Sequence, residues 1–84
     1  MIYQNIERIR IAKGVTKTYI AARAGRNLQW YYRISKGHSD LIAEDLKSIS
    51  DALEQPVSVF LSDELTDTVV GRLMRPKELQ PTNA

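Results

Sequence analysis

Cysteine is absent from this chain, which excludes disulfides and thiolate metal sites and leaves the fold to a hydrophobic core alone. No apolar run approaches the roughly 20 residues that a membrane-spanning helix needs, so no membrane association is expected. Residues 1–8 lack the positive-then-apolar layout of a secretory signal, and a cytoplasmic location is expected. The single histidine, His38, has no partner at ligand spacing, so neither a metal nor another cofactor is expected. Ser35, His38 and Ser39 are close in sequence but form no nucleophile, base and orienter arrangement. A glycine-rich phosphate loop is also missing, and the chain does not read as an enzyme. With 43% hydrophobic and 26% charged residues, it is too apolar to stay unfolded. Its 84 residues suffice for one compact domain.

The most informative absence concerns charge of one sign. Between residues 8 and 39 there is no carboxylate, while eight cations occur: Arg8, Arg10, Lys13, Lys17, Arg23, Arg26, Arg33 and Lys36. From Asp40 onward nine acids face four cations. A basic block inside a chain of net charge +2 points to contact with a polyanion on one side.

Apolar spacing predicts helices throughout, with no strand alternation and no internal repeat. Ile2, Ile6 and Ile9 predict a first helix over 3–13, closed by Gly14. Thr16 is a good N-cap for a short helix over 17–24, carrying Ile20, Ala21 and Ala24 on one face and ended by Gly25. Asn27 caps a third helix over 28–36, with Tyr31 and Ile34 inward and Gly37 at its end. Ile42, Leu46, Ile49 and Leu53 mark a fourth helix, with Glu44 and Asp45 at its positive end. Pro56 suits the first position of a fifth helix over 57–61. Leu65, Val69 and Leu73 line one face of an extra C-terminal helix, although Gly71 within it costs about 1 kcal/mol relative to alanine. From Pro76 the chain reads as a frayed tail or linker.

Residues 16–34 carry the functional signal. Two short helices joined by a tight turn must cross closely; Ala21 supplies the small residue at the crossing, and Gly25 tolerates a positive φ in the turn. That is the geometry of a helix-turn-helix. Arg10, Gly14 and Thr16, then Ile20-Ala21, Gly25, Ile34 with Gly37, and Ala52-Leu53 together resemble the lambda-repressor-like DNA-binding domains of phage Cro and CI repressors. The resemblance spans residues 6–61, about two thirds of the chain. It implies an all-α, five-helix bundle that regulates transcription from operators as a dimer. The chain departs from that pattern at Lys17, where glutamine is usual, and at Arg26, where a small or β-branched residue is common. Tyr31 stands for an aliphatic core residue and Ser35 for a frequent acid.

With Asn27 as cap, positions 28, 29, 32, 33 and 36 point away from the packed face. Gln29 can bond adenine, Arg33 can bond guanine, and Leu28 and Tyr32 can offer apolar contact to base edges. Phosphate contacts are expected from Arg10, Lys17, Asn27, Lys36, His38 and Ser39. Trp30, Tyr31 and Tyr32 fan out around a helix and cannot form one stacking platform; Trp30 is expected at the domain edge. The expected organisation is a DNA-binding domain over 1–62 and a C-terminal extension over 63–84, with dimerisation through Phe60, Leu65, Val69 and Leu73. Packing of those residues onto the chain's own core is the bland alternative. Expected partners are a double-stranded DNA operator and a second copy of the chain. A different class of function is an antitoxin-like interaction module, whose tail engages a protein partner while the helix-turn-helix autoregulates.

Overall fold

A computed structural model describes residues 1–38 and 40–74. Every regular element among them is helical: α1 (Ile2–Lys13), α2 (Lys17–Arg23), α3 (Leu28–Ser35), α4 (Ala43–Leu53), α5 (Val57–Leu61) and α6 (Asp63–Leu73). No helix among the described residues is long and apolar enough to cross a membrane.

Local chemistry explains most of the boundaries. The Thr16 hydroxyl accepts from the Tyr19 N–H at 3.0 Å, opening α2. The Asn27 side-chain oxygen accepts from the Trp30 N–H at 2.9 Å, opening α3. Each such cap stabilises its helix by about 1 kcal/mol. Ser62 does the same for α6, accepting from Leu65 N–H at 3.1 Å, so that helix starts two residues before its first apolar position. Pro56 is the cap residue of α5 and not its first helical residue. Glu54 closes α4 with φ 58, a left-handed conformation that costs a side-chain-bearing residue about 1–2 kcal/mol. Lys13 braces that end by donating to the Leu53 carbonyl at 2.9 Å and the Glu54 carboxylate at 3.3 Å.

The core is drawn from α1 to α5. Ile6 and Ile9 of α1 meet Ile20 and Ala21 of α2, Tyr31 and Ile34 of α3, Ile49 and Leu53 of α4, and Phe60 of α5. Burying a large apolar side chain contributes about 1.5–3 kcal/mol, and this set is what holds the short helices α2 and α3 against the longer ones. Neither could persist alone at that length.

Two sequence expectations change here. Phe60, expected on a dimer surface, is 0% exposed and belongs to the core. The boundary expected after residue 62 is crossed by hydrogen bonds. Asn5, itself buried, donates to the Phe60 carbonyl and to the Asp63 carboxylate, both at 3.0 Å. Thr66, wholly buried, donates to the Val59 carbonyl at 2.7 Å. Arg8 adds an ion pair to Asp67 at 2.7 Å. Helix α6 is therefore built onto α1 and α5 instead of standing apart. Val69 packs partly on the core, whereas Leu65 and Leu73 remain exposed. The tail beyond residue 74 lies outside the described residues.

Candidate nucleic-acid interface

Helix α2 ends in a turn that only a few residues can make. The Arg26 N–H bonds the Ala21 carbonyl at 2.9 Å and the Gly25 N–H bonds the Ala22 carbonyl at 3.1 Å. This double closure places Gly25 at φ 70, a conformation glycine adopts without steric cost. The chain then reverses into α3, and Ala21, 2% exposed, is the small residue between the two helices.

Helix α3 is strongly two-sided. Tyr31 and Ile34 are buried, while Leu28, Gln29, Tyr32, Arg33 and Lys36 are exposed. The four residues expected to reach base edges thus lie together on the outer face. Leu28, Gln29 and Tyr32 line a shallow depression of about 310 Å³. Tyr32 is flanked by two cations: the Lys17 ammonium stands 5.0 Å from its ring centroid and that of Lys36 5.2 Å. Side chains from α2, α3 and the residue closing α3 therefore converge on one aromatic ring. Asn27 and His38 are exposed at the two ends of α3. Ser39, expected at a phosphate, lies outside the described residues.

No family model, curated protein or solved structure matches the chain. The site has to be read from its own geometry.

The eight cations of the basic block divide into two groups of four. Arg8 pairs with Asp67, Arg10 with Glu7, Lys13 with Glu54 and Arg26 with Asp45. Lys17, Arg23, Arg33 and Lys36 pair with no carboxylate among the described residues. Arg23 instead takes the Tyr19 hydroxyl at 3.0 Å. All four unpaired cations lie on α2, on α3 or at the end of α3. The charge asymmetry of the sequence becomes a surface only after the fold has neutralised its other half.

Arg10 is a correction. Expected at a phosphate, its guanidinium is turned inward, donating to both oxygens of Glu7 at 2.8 and 3.1 Å and to the Val15 carbonyl at 2.8 Å. The Tyr31 hydroxyl donates to the same Glu7 carboxylate at 2.7 Å. Burial alone would raise the Glu7 carboxyl, but the hydrogen bonds from Arg10 and Tyr31, with the charges of Arg10 and Lys17, hold it below its ordinary value. The bonds to Glu7 raise Arg10 in turn. Tyr31 is pushed well above its ordinary value, by burial first and then by its bond to Glu7. This arrangement accounts for a tyrosine at a core position: its ring fills the interior and its hydroxyl finds a charged acceptor, so no polar atom is stranded.

Trp30 lies at the edge of the core, half-buried, with the Arg26 guanidinium 5.1 Å from its ring. Its ring is tilted 57° from that of Tyr31, so these aromatics do not stack on one another. The sequence reading missed Glu7 and Asn5, and the pairing of Asp45 with Arg26. For Glu7 a signal existed, since Glu7 and Arg10 stand one helical turn apart.

Proposed function

We propose that this chain is a sequence-specific, double-stranded DNA-binding transcriptional regulator, a repressor of phage or prophage type, whose helix-turn-helix is α2, the Gly25 turn and α3. It binds a palindromic operator as a dimer. The observation that carries this reading is the coincidence of three unpaired cations, Lys17, Arg33 and Lys36, with the exposed polar face of α3. A solvated surface has no need to gather three unpaired cations around one short helix, whereas a phosphate-lined groove rewards it.

In this reading α3 enters the major groove. Gln29, in its first turn, bonds adenine N6 and N7, and Arg33, one turn on, bonds guanine O6 and N7. Leu28 touches a thymine methyl. Tyr32 keeps a place at the groove, though the two lysines beside its ring tie it to the backbone as much as to a base. Lys17, Lys36, Asn27 and His38, with the N–H groups opening α2, hold the flanking phosphates. Arg10 leaves the set of DNA contacts. Leu65 and Leu73, with Val69 between them, form the surface for a second copy, and Phe60 supports that surface from within.

Selection of bound sites from a random duplex pool tests the proposal. A two-fold symmetric consensus, with half-sites about one helical turn apart, is the expected result. Enrichment of no duplex over a heparin-like polyanion, at low salt, would overturn it.

A further inference from the structure

We propose that Glu7, whose carboxylate bonds Arg10 and Tyr31, is a positioning residue for DNA discrimination, holding α3 at the angle from which Gln29 and Arg33 read bases. The inference rests on the DNA-binding reading and adds to it a residue that touches no nucleic acid. Glu7 is one carboxylate of α1 joined to both halves of the proposed motif. Through the Tyr31 hydroxyl at 2.7 Å it holds α3. Through Arg10, whose guanidinium continues to the Val15 carbonyl at 2.8 Å, it holds the segment that leads into the Thr16 cap of α2. The remaining contacts of α3 with the body are chiefly apolar, from Ile34, the Tyr31 ring and Trp30, which packs at the edge of the core with the Arg26 guanidinium against its ring. Apolar packing is non-directional and lets a short helix roll or slide at small cost. A short, charge-assisted hydrogen bond is directional, and the one at Tyr31 fixes rotation about the helix axis. Tyr31 lies between Gln29 and Arg33 in the sequence of α3, so a roll that strained its bond to Glu7 would displace both base-reading side chains at once.

The test compares affinity for the selected site with affinity for a scrambled duplex of equal length, in the wild-type chain and in Tyr31→Phe, Glu7→Gln and the double variant. Far-UV circular dichroism and the unfolding midpoint confirm that each variant is folded at the assay temperature. Tyr31→Phe removes one hydroxyl and is expected to weaken specific binding by about tenfold, equivalent to part of one bidentate base contact. Binding to the scrambled duplex, which depends on phosphate contacts, should stay within about twofold. Glu7→Gln should also lose specificity, because a neutral amide oxygen accepts more weakly from the Tyr31 hydroxyl, and the double variant should fall short of the sum of the two single losses, because both changes act on the same bond. A merely structural role would lower the unfolding midpoint yet leave the ratio of specific to scrambled affinity unchanged in the folded variants, and that result would overturn the inference. If Glu7→Gln does not fold, Tyr31→Phe decides the matter. A wild-type chain that fails to separate the selected from the scrambled duplex would instead remove the DNA-binding reading, a distinct result.

Discussion

On the α1 side of the molecule, Arg8 and Lys13 end on Asp67 and Glu54, acids supplied from more than forty residues away. On the α2–α3 side, Lys17, Arg33 and Lys36 end on no carboxylate among the described residues, and two of them crowd a single tyrosine ring. The two regions come from one continuous basic stretch of sequence. The difference teaches that a basic run is not itself a binding surface. Folding brings acids of the second half of the chain against Arg8, Lys13 and Arg26, pairs Arg10 with Glu7 inside α1, and leaves Lys17, Arg23, Arg33 and Lys36 uncovered among the described residues. In the proposed reading, charge count suggests the kind of partner and charge pairing suggests the face.

The comparison can be broken or sharpened by substitution. The largest effect is expected in the core. Phe60→Ala should lower unfolding free energy by about 3–5 kcal/mol in denaturant titrations. Leu65→Ala, at an exposed position, should change it by less than about 1 kcal/mol while weakening self-association in sedimentation. Equal stability losses would place Leu65 inside with Phe60. Next come the two residues proposed to read bases. Arg33→Ala and Gln29→Ala should each relax preference at a defined base pair by about 1–3 kcal/mol in competition binding. Arg26→Ala, whose guanidinium is engaged with Asp45 and Trp30, should leave base preference unchanged. Smaller still is the effect of Gly71→Ala. Nothing stands within 4 Å of an added Cβ, so the unfolding midpoint should rise by an amount equivalent to about 0.5–1 kcal/mol. A fall would mean that α6 needs the glycine for a close approach.

Much of this architecture was legible beforehand, for identifiable reasons. Thr16 and Asn27 announce helix starts because their side chains accept from N–H groups that a helix leaves orphaned. Tyr31 and Ile34 against Leu28, Gln29, Tyr32 and Arg33 is a period a reader can follow through two turns. Helix α5 shows where periodicity fails. In five residues, Val57, Val59, Phe60 and Leu61 take up most of the circumference, and sequence alone does not say that Phe60 faces inward while Leu61 faces out. Gln55 and Pro56 mark the break after α4, but not that Glu54 closes the helix in a conformation usually left to glycine. Arg10 was misplaced because summing charges over a window ignores a single acid one turn upstream. Asn5 and Thr66, polar residues at buried sites, become intelligible only once the carbonyls of Phe60 and Val59 are seen beside them.

The account turns on which cations remain available to a polyanion. The salt dependence of duplex affinity measures this most directly, since each phosphate neutralised adds about 0.9 to the slope of log K against log salt. Lys17→Ala and Lys36→Ala should each flatten that slope by about one, and Arg8→Ala should leave it as it is. If Arg8→Ala flattened the slope as much as Lys17→Ala, the division between covered and uncovered cations would be wrong, and with it the face assigned to DNA.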